Sequence, residues 1–208
     1  MTVVKICGIS DLAIGLAAIN AGADYLGFVF YPPSTRAITV KAAAQLIAEL
    51  RSERPTGWQA VGVFVNEPLS VVETTRETAR LDVVQLNGEE TTDYIRQIGA
   101  PVFKAIRAHD SNCDPAPTAV AFGAQRLLID ANVPGRYGGT GVTVDWQRVS
   151  AFVADGFLAG GLTPDNVAHA IQVARPWGLD VSSGVEENGV KSRLLIERFL
   201  INARGVVV

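Results

Sequence analysis

The sequence is poor in lysine, histidine and cysteine. Only four of its 208 residues are lysines, two are histidines and two are cysteines. A formal net charge of −3 and the lack of any run of basic residues argue against nucleic-acid binding. Because Cys7 and Cys113 alone do not form a disulfide framework, we expect a reducing, cytoplasmic environment.

Long apolar runs are missing as well. The longest ones fall far short of the roughly 18–20 residues that span a bilayer. The N-terminus has no basic region followed by a long apolar stretch, so we expect no signal peptide and no membrane partner. A hydrophobic content of 48% and a mean hydropathy of +0.23 suit a large buried core. Without any linker or low-complexity segment, the sequence predicts one domain over residues 1–208.

Short apolar segments alternate with helical segments from end to end. The predicted strands are Val3–Ile6, Tyr25–Phe30, Gln59–Val65, Asp82–Leu86, Val102–Ile106, Arg126–Ile129, Phe157–Ala159 and Leu179–Val181. The predicted helices are Asp11–Ala21, Val40–Leu50, Pro68–Ala79, Glu90–Ile98, Thr118–Phe122, Val144–Phe152, Pro164–Ala174 and Asn188–Asn202. The strands are apolar and β-branched rather than strictly alternating, which is typical of parallel strands covered by helices.

Eight such units predict an α/β protein with the architecture of a (β/α)8 TIM barrel. The alternative is an open, doubly wound sheet. That fold carries a G-x-G-x-x-G turn after its first strand when it binds a dinucleotide. The corresponding segment, Cys7–Asp11, has no such pattern, so we favour the closed barrel.

Two glycine-rich turns follow the last two predicted strands, in Leu158–Leu162 and Leu179–Glu186. Small residues let main-chain N–H groups approach an anion closely, and a helix that starts after the turn adds a favourable dipole. A (β/α)8 barrel uses the turns after its seventh and eighth strands to hold a phosphate. Two ordinary βα turns are the alternative, but the pair favours a phosphate site. The expected binding residues are Gly160, Gly161, Ser183 and Gly184.

Polar residues at the predicted C-terminal ends of the strands are the candidates for chemistry, because the active sites of such barrels lie there. They are Cys7, Arg36, Gln85, Asn87, Arg107, Asp130, Asp180 and Ser182. Cys7 shares a strand face with Lys5, whose charge would favour the thiolate, the form that accepts a proton. Asp130 follows a strongly apolar run, so we expect a raised pKa and the role of an acid. A buried structural cysteine and a turn-capping aspartate are the alternatives.

Arg36 lies in the loop after the second predicted strand. Its guanidinium can grip a carboxylate through two parallel hydrogen bonds, although a solvated loop arginine is the simpler interpretation. The only histidines, His109 and His169, are far apart in sequence and in unlike contexts. We therefore predict no metal site.

Several of these segments together resemble the phosphoribosylanthranilate isomerase family of tryptophan biosynthesis. The segments are Val4–Gly8, Gly22–Phe30, Pro33–Arg36, Val61–Val65, Val84–Gly88, Leu127–Asp130, Gly138–Gly141, Leu158–Leu162 and Asp180–Glu186. The resemblance covers nearly the whole chain. The lysine-isoleucine-cysteine-glycine start, followed in order by the two phosphate turns, is its most specific feature.

The resemblance implies a barrel that acts without a metal or an organic cofactor. It implies an Amadori rearrangement of N-(5-phosphoribosyl)anthranilate to 1-(2-carboxyphenylamino)-1-deoxyribulose 5-phosphate, with Cys7 as general base and Asp130 as general acid. Arg36 would lie near the anthranilate end. Asp180 would contact the substrate amine or order the site, and Ser182 would belong to the substrate-binding residues. The resemblance implies this small molecule as the partner, and the chain is expected to be a monomer or a homodimer.

Two other functions stay open at this point. One is the sister isomerase of histidine biosynthesis, or an enzyme that catalyses both reactions. The sister family resembles this one in fold and chemistry, but it typically has an aspartate at the end of the first strand and a second phosphate grip in the N-terminal half. The turns after the third and fourth predicted strands, Val65–Pro68 and Leu86–Glu89, are poor phosphate sites. A non-catalytic barrel that binds phosphorylated metabolites would have no need of both Cys7 and Asp130.

The glycine-rich loop Asn132–Val142 is expected to close over a substrate or to be a simple connection.

Overall fold

The computed structural model describes residues 2–107, 118–130 and 146–206. Several features discussed above lie outside these described residues: His109, Cys113, the segment Gly138–Gly141 and the loop Asn132–Val142. The expectation that this loop closes on a substrate therefore stays a prediction.

Eight parallel strands form a closed barrel in which each strand pairs with the next and the eighth pairs with the first. The strands are β1 (Val3–Cys7), β2 (Tyr25–Val29), β3 (Gln59–Phe64), β4 (Val83–Leu86), β5 (Val102–Arg107), β6 (Arg126–Asp130), β7 (Phe157–Leu158) and β8 (Gly178–Val181). The predicted (β/α)8 TIM barrel is confirmed, and the open doubly wound sheet is wrong.

The helices lie between consecutive strands and after the last one. They are α1 (Leu12–Asn20), α2 (Val40–Glu53), α3 (Leu69–Ala79), α4 (Thr92–Ile95), α5 (Ala119–Phe122), α6 (Trp146–Val153), α7 (Val167–Ala174) and α8 (Arg193–Arg204). Side chains before the helices fix several of the starts, because they accept hydrogen bonds from otherwise unpaired main-chain N–H groups. Asp11 accepts from Ile14, and Thr39 accepts from Ala42. None of the described helices is long and apolar enough to cross a membrane.

The two faces of each strand bury different layers. Residues such as Ile6 and Leu26 point outward and pack against the helices. The alternate residues fill the barrel interior, where Phe103 and Phe157 form a tightly packed lower layer. Above it lies a smaller layer of Cys7, Val29 and Val63. The interior is therefore closely packed and largely apolar, with the charged side chains of Lys5 and Asp180 buried just below the C-terminal mouth.

The predicted helix Glu90–Ile98 is mostly wrong, because α4 spans only Thr92–Ile95. Thr91 starts the helix by accepting a hydrogen bond from Tyr94. Glu90 is excluded from the helix because its buried carboxylate accepts from the main chain of the preceding turns. The interaction that removes this residue from the helix is long-range and leaves no periodic signal.

The predicted helix Asn188–Asn202 is also wrong at its start. A hairpin of β9 (Glu186–Glu187) and β10 (Val190–Lys191) precedes α8. Its two turn residues, Asn188 and Gly189, have φ values of 52° and 79°. An Asn-Gly pair is the typical two-residue hairpin turn, since both positions favour positive φ. This signal was present in the sequence and was overlooked.

The two glycine-rich turns lie against each other at the C-terminal mouth. A Cβ at Gly184 would collide with the main-chain carbonyl oxygen of Leu162, which belongs to the turn after β7. Only glycine permits this approach of two backbones.

We expect Gly184→Ala to lower the free energy of unfolding by about 1–3 kcal/mol, the cost typical of overpacking. Urea-induced unfolding measures the change. Gly99→Ala is the control, since a Cβ there would make only ordinary contacts with Arg76 and Glu73. Equal stability of Gly184→Ala and the unmodified protein would contradict the close approach.

Candidate active site

One cavity at the C-terminal mouth collects most of the candidate residues. Five of the nine predicted catalytic and binding residues line it: Cys7, Arg36, Asp130, Asp180 and Ser182. Gln85 and Asn87 of β4 and the turn after it line the same cavity. Residues from β1, β4, β6 and β8 therefore meet at one place, as expected for a barrel whose strands all end at the same rim.

A buried ion pair lies beneath this cavity. Lys5 is fully buried, and its Nζ atom lies 2.7 Å from Oδ1 of Asp180. The two residues are register partners in the β1–β8 pair. As the sequence predicted, Lys5 and Cys7 share the interior face, and Lys5 also interacts with the thiol of Cys7.

The pKa of Cys7 is shifted upward, whereas the charge of Lys5 alone would lower it. Burial is the largest influence and raises the pKa of the Cys7 thiol; the charge of Lys5 lowers it, and the charge of Asp180 raises it again. The net pKa is raised above the ordinary value of 9.0. Lys5 does favour the thiolate, but it does not outweigh the loss of water around the sulfur.

Asp130 ends β6 and is half-buried where it lines the cavity. In the closed strand order, β6 is separated from β1 by β7 and β8. Asp130 and Cys7 therefore approach the cavity from different sides. The raised pKa expected for Asp130 stays a prediction.

Arg36 is held by a partner that the sequence interpretation missed. Its Nε and Nη2 atoms donate to the two carboxylate oxygens of Glu186 in β9, at 2.6 and 2.7 Å. Lys191 of β10 donates to the same carboxylate and to the main-chain oxygen of Ser182. The hairpin thus connects the loop after β2 to the end of β8. The Asn-Gly pair was the available signal for the hairpin, although not for its pairing with Arg36.

The charges in this network stabilise one another. Burial raises the pKa of Glu186, but the hydrogen bonds from Arg36 and Lys191 outweigh burial, so its pKa is lowered below the ordinary value. Burial also lowers the pKa of Lys191, despite its ion pair with Glu186. The Nη1 group of Arg36 makes no hydrogen bond to any described residue, so it is available to a second carboxylate.

The turns after β7 and β8 form the adjoining rim. Gly160 and Gly161 have φ values of 84° and 66°, a left-handed conformation that suits glycine. Ser183 and Gly184 form a single 3-10 turn after β8. These four predicted residues lie together at the rim, although among the described residues they are not part of the cavity lining.

The expected helix starts after these turns are only partly present. The helix α7 begins at Val167, and Asn166 joins the intervening turn by accepting from Thr163 and donating to Gly161. After β8, the 3-10 turn and the hairpin precede α8. Any anion here would therefore depend on local N–H groups more than on a long helix.

Gln85 is a further buried group at the cavity. Its side chain is on β4, and the residue is 1% exposed. The Nε2 atom donates to Asn87, but the Oε1 atom has no hydrogen-bond partner among the described residues. A buried acceptor without a partner is costly, so this oxygen is suited to receive a hydrogen bond from a ligand.

No group of three or more metal-ligating side chains occurs within residues 2–107, 118–130 and 146–206. The cavity instead offers a thiol, carboxyl groups, an arginine and amides. These groups can move protons and bind anions.

Comparison with known proteins agrees with this chemistry. A family model described as N-(5′phosphoribosyl)anthranilate (PRA) isomerase matches residues 4–202. The N-(5′-phosphoribosyl)anthranilate isomerase of Roseiflexus castenholzii is 44% identical over 209 residues, which cover 97% of this chain and 98% of that protein.

Solved structures give the same result. Monomers of the dimeric phosphoribosylanthranilate isomerase of Thermotoga maritima superpose with a TM-score of 0.81 at 34% identity, covering 99% of this chain and 100% of theirs. A phosphoribosyl anthranilate isomerase in complex with reduced 1-(o-carboxyphenylamino)-1-deoxyribulose 5-phosphate superposes with a TM-score of 0.79 at 33% identity, covering 99% and 100%. With its sequence, barrel and site in agreement, the chain belongs to the N-(5′-phosphoribosyl)anthranilate isomerase family.

Proposed function

We propose that Cys7 and Asp130 act as general base and general acid when this chain isomerises N-(5′-phosphoribosyl)anthranilate in tryptophan biosynthesis. The reaction is an aldose–ketose isomerisation that gives 1-(2-carboxyphenylamino)-1-deoxyribulose 5-phosphate. The observation that carries the assignment is the meeting of a thiol and a separate carboxyl in one cavity beside the paired glycine turns. It agrees with the family to which the chain belongs.

Asp130 acts first. Its protonated carboxyl donates to the furanose ring oxygen, the bond from C1 to that oxygen breaks, and the electrons of the anilino nitrogen form an iminium ion. Leu128 supports this role, because it is buried on the same strand face as Asp130 and lines the same cavity, and an apolar surrounding favours the neutral acid.

Cys7 acts second, as the thiolate. It removes the proton from C2, and the electron pair of that bond neutralises the iminium to give an enolamine. The enolamine then takes a proton at C1 and loses the hydroxyl proton at C2, which gives the ketone. Because the pKa of Cys7 is raised, its thiolate is a strong base, and a substrate cation beside it favours that charged form.

The substrate is held at both ends. Main-chain N–H groups around Gly160, Gly161, Ser183 and Gly184 bind the phosphate. The Nη1 side of Arg36, which makes no hydrogen bond to a described residue, binds the anthranilate carboxylate, while Glu186 fixes the guanidinium plane from the other side. Binding at two ends supplies the energy that orients the reacting carbon atoms.

Asp180 and Ser182 order the site. Asp180 already pairs with Lys5, which favours a role in holding the cation near Cys7 over a contact with the substrate amine. Ser182 donates to the main-chain oxygen of Cys7 at 3.1 Å and so ties the ends of β1 and β8 together. The buried Oε1 of Gln85 accepts a hydrogen bond from a substrate hydroxyl.

The cytoplasm is the compartment we propose, since Cys7 is a free thiol and the reaction needs it reduced. The oligomeric state, monomer or homodimer, stays a prediction. Sedimentation measurement distinguishes the two.

We expect Cys7→Ala and Asp130→Asn each to lower turnover by about 10²–10⁴-fold, the usual contribution of a general base or acid. Anthranilate and phosphoribosyl pyrophosphate are combined to form the substrate, and the loss of its fluorescence is followed after the protein is added. Binding of a sugar phosphate is expected to be largely unchanged in both variants.

The matched controls for this assay are Cys113→Ala and Asp155→Asn, which remove the other cysteine and an exposed aspartate. Both should retain full turnover. Unmodified rates in Cys7→Ala and Asp130→Asn would disprove the assigned roles.

We expect Arg36→Ala to weaken the binding of anthranilate-containing ligands about 10- to 100-fold, since hydrogen bonds to charged groups contribute about 1.5–3 kcal/mol. The affinity for simple sugar phosphates should fall much less. Glu186→Gln should lower the affinity for anthranilate-containing ligands by a smaller factor, because Arg36 stays but is oriented less firmly. Titration calorimetry with both ligand types measures the difference.

The control is Arg51→Ala, which removes an arginine that pairs with Asp82 away from the cavity. It should leave both affinities unchanged. Equal losses for the two ligand types in Arg36→Ala would show that Arg36 does not bind the anthranilate end.

A further inference from the structure

A buried carboxylate lies on the main-chain N–H groups of two neighbouring turns, outside the catalytic cavity. The side chain of Glu90 is 2% exposed. Its carboxylate accepts from the N–H of Asn66, in the turn after β3, at 2.8 Å. It also accepts from the N–H of Gly88, in the turn after β4, at 3.0 Å. Lys104 completes the cluster with its Nζ atom 2.9 Å from the same carboxylate.

The backbone is shaped to make these donors converge. Asn66 has a φ of 54°, an uncommon left-handed conformation, and its side chain accepts from the N–H of Glu89 at 2.6 Å. A Cβ at Gly88 would collide with the side chain of Asn66, so only glycine fits. Two converging N–H groups and a buried lysine form a typical site for an anion, and Glu90 is the anion that fills it.

The position of this cluster is important because of the order of the strands. The turns after β3 and β4 lie four strands away from the turns after β7 and β8 in an eight-stranded ring, which is the opposite side of the same mouth. Asn87, next to Gly88, lines the catalytic cavity between them. A ligand that filled both the site at the turns after β7 and β8 and the site at the turns after β3 and β4 would need an anionic group at each end.

We propose that Glu90 is a specificity-determining residue that closes a second anion site and so restricts the barrel to substrates with one phosphate. The part concerning the substrate rests on the proposed function, while the closed anion site does not. Because Glu90 is part of the same chain, its carboxylate is always present at high effective concentration. A second phosphate on a ligand cannot bind there, because Glu90 already occupies the N–H groups of Asn66 and Gly88 and the ammonium group of Lys104.

The test is a titration of Glu90→Ala with inorganic phosphate, followed by the amide ¹H–¹⁵N signals. In the unmodified protein, phosphate should move the signals of the turns after β7 and β8 but not those of Asn66 and Gly88. In Glu90→Ala, the signals of Asn66 and Gly88 should move as well. Phosphate affinity at this second site should be at least ten-fold lower in Glu90→Ala/Lys104→Met.

The matched control is Glu73→Ala. Glu73 also accepts a main-chain N–H, that of Gly99, and pairs with Arg76, but its side chain is 25% exposed. Phosphate binding at the site vacated in Glu73→Ala, followed by the signal of Gly99, should be at least ten-fold weaker than binding at Asn66 and Gly88 in Glu90→Ala. Equal binding in the two variants would show only a general effect of a lost negative charge and would overturn the proposal.

The two proposals fail in different ways. If phosphate does not move the turns after β7 and β8 in the unmodified protein, the proposed phosphate site is wrong. If phosphate leaves Asn66 and Gly88 unaffected in Glu90→Ala, the second anion site is wrong. If Glu90→Ala is unfolded in a buffer that contains chloride as its only anion, added phosphate should restore folding. A variant that stays unfolded in phosphate buffer also contradicts the proposal.

Discussion

The buried ion pair between Lys5 and Asp180 is the interaction on which the arrangement of the site depends. A buried charge is tolerated only when it is paired, and these two residues meet where β1 closes the barrel against β8. A shift of one residue in either strand would turn its charged side chain to the helix-covered face. The pair therefore specifies the closing register, and the same register places Cys7 at the mouth, next to the lysine.

Most of the few lysines in the chain form buried ion pairs. The three that do so have side chains that are themselves at most 7% exposed: Lys5, Lys104 and Lys191. A compact ammonium group suits a small polar pocket, whereas the planar guanidinium needs more room. Lys5 links two strands, Lys104 holds Glu90 in place, and Lys191 connects the hairpin to the end of β8. Lys5 thus stabilises the closure of the barrel, whereas Lys104 and Lys191 stabilise the turn and the hairpin beside the cavity.

Much of the fold could be predicted from the sequence, because parallel strands and their helices leave a repeated apolar pattern. The positions of Cys7, Asp130, Asp180 and Ser182 followed from the ends of those strands. The role of Glu186 could not be predicted, since its pairing with Arg36 joins residues 150 positions apart. The sign of the pKa shift of Cys7 was also missed, because the depth of burial, and not the neighbouring charge, decides it.

The most direct test of this account is the pH dependence of Cys7 alkylation by iodoacetamide in a Cys113→Ser background. The thiolate is the reactive form, so the rate rises with pH through the pKa of Cys7. We expect a midpoint above 9.0, a further alkaline shift in Lys5→Met, and no shift in the surface control Lys41→Met. A midpoint below 9.0, or no response to the loss of Lys5, would contradict the claim that burial beside this ion pair sets the basicity of Cys7.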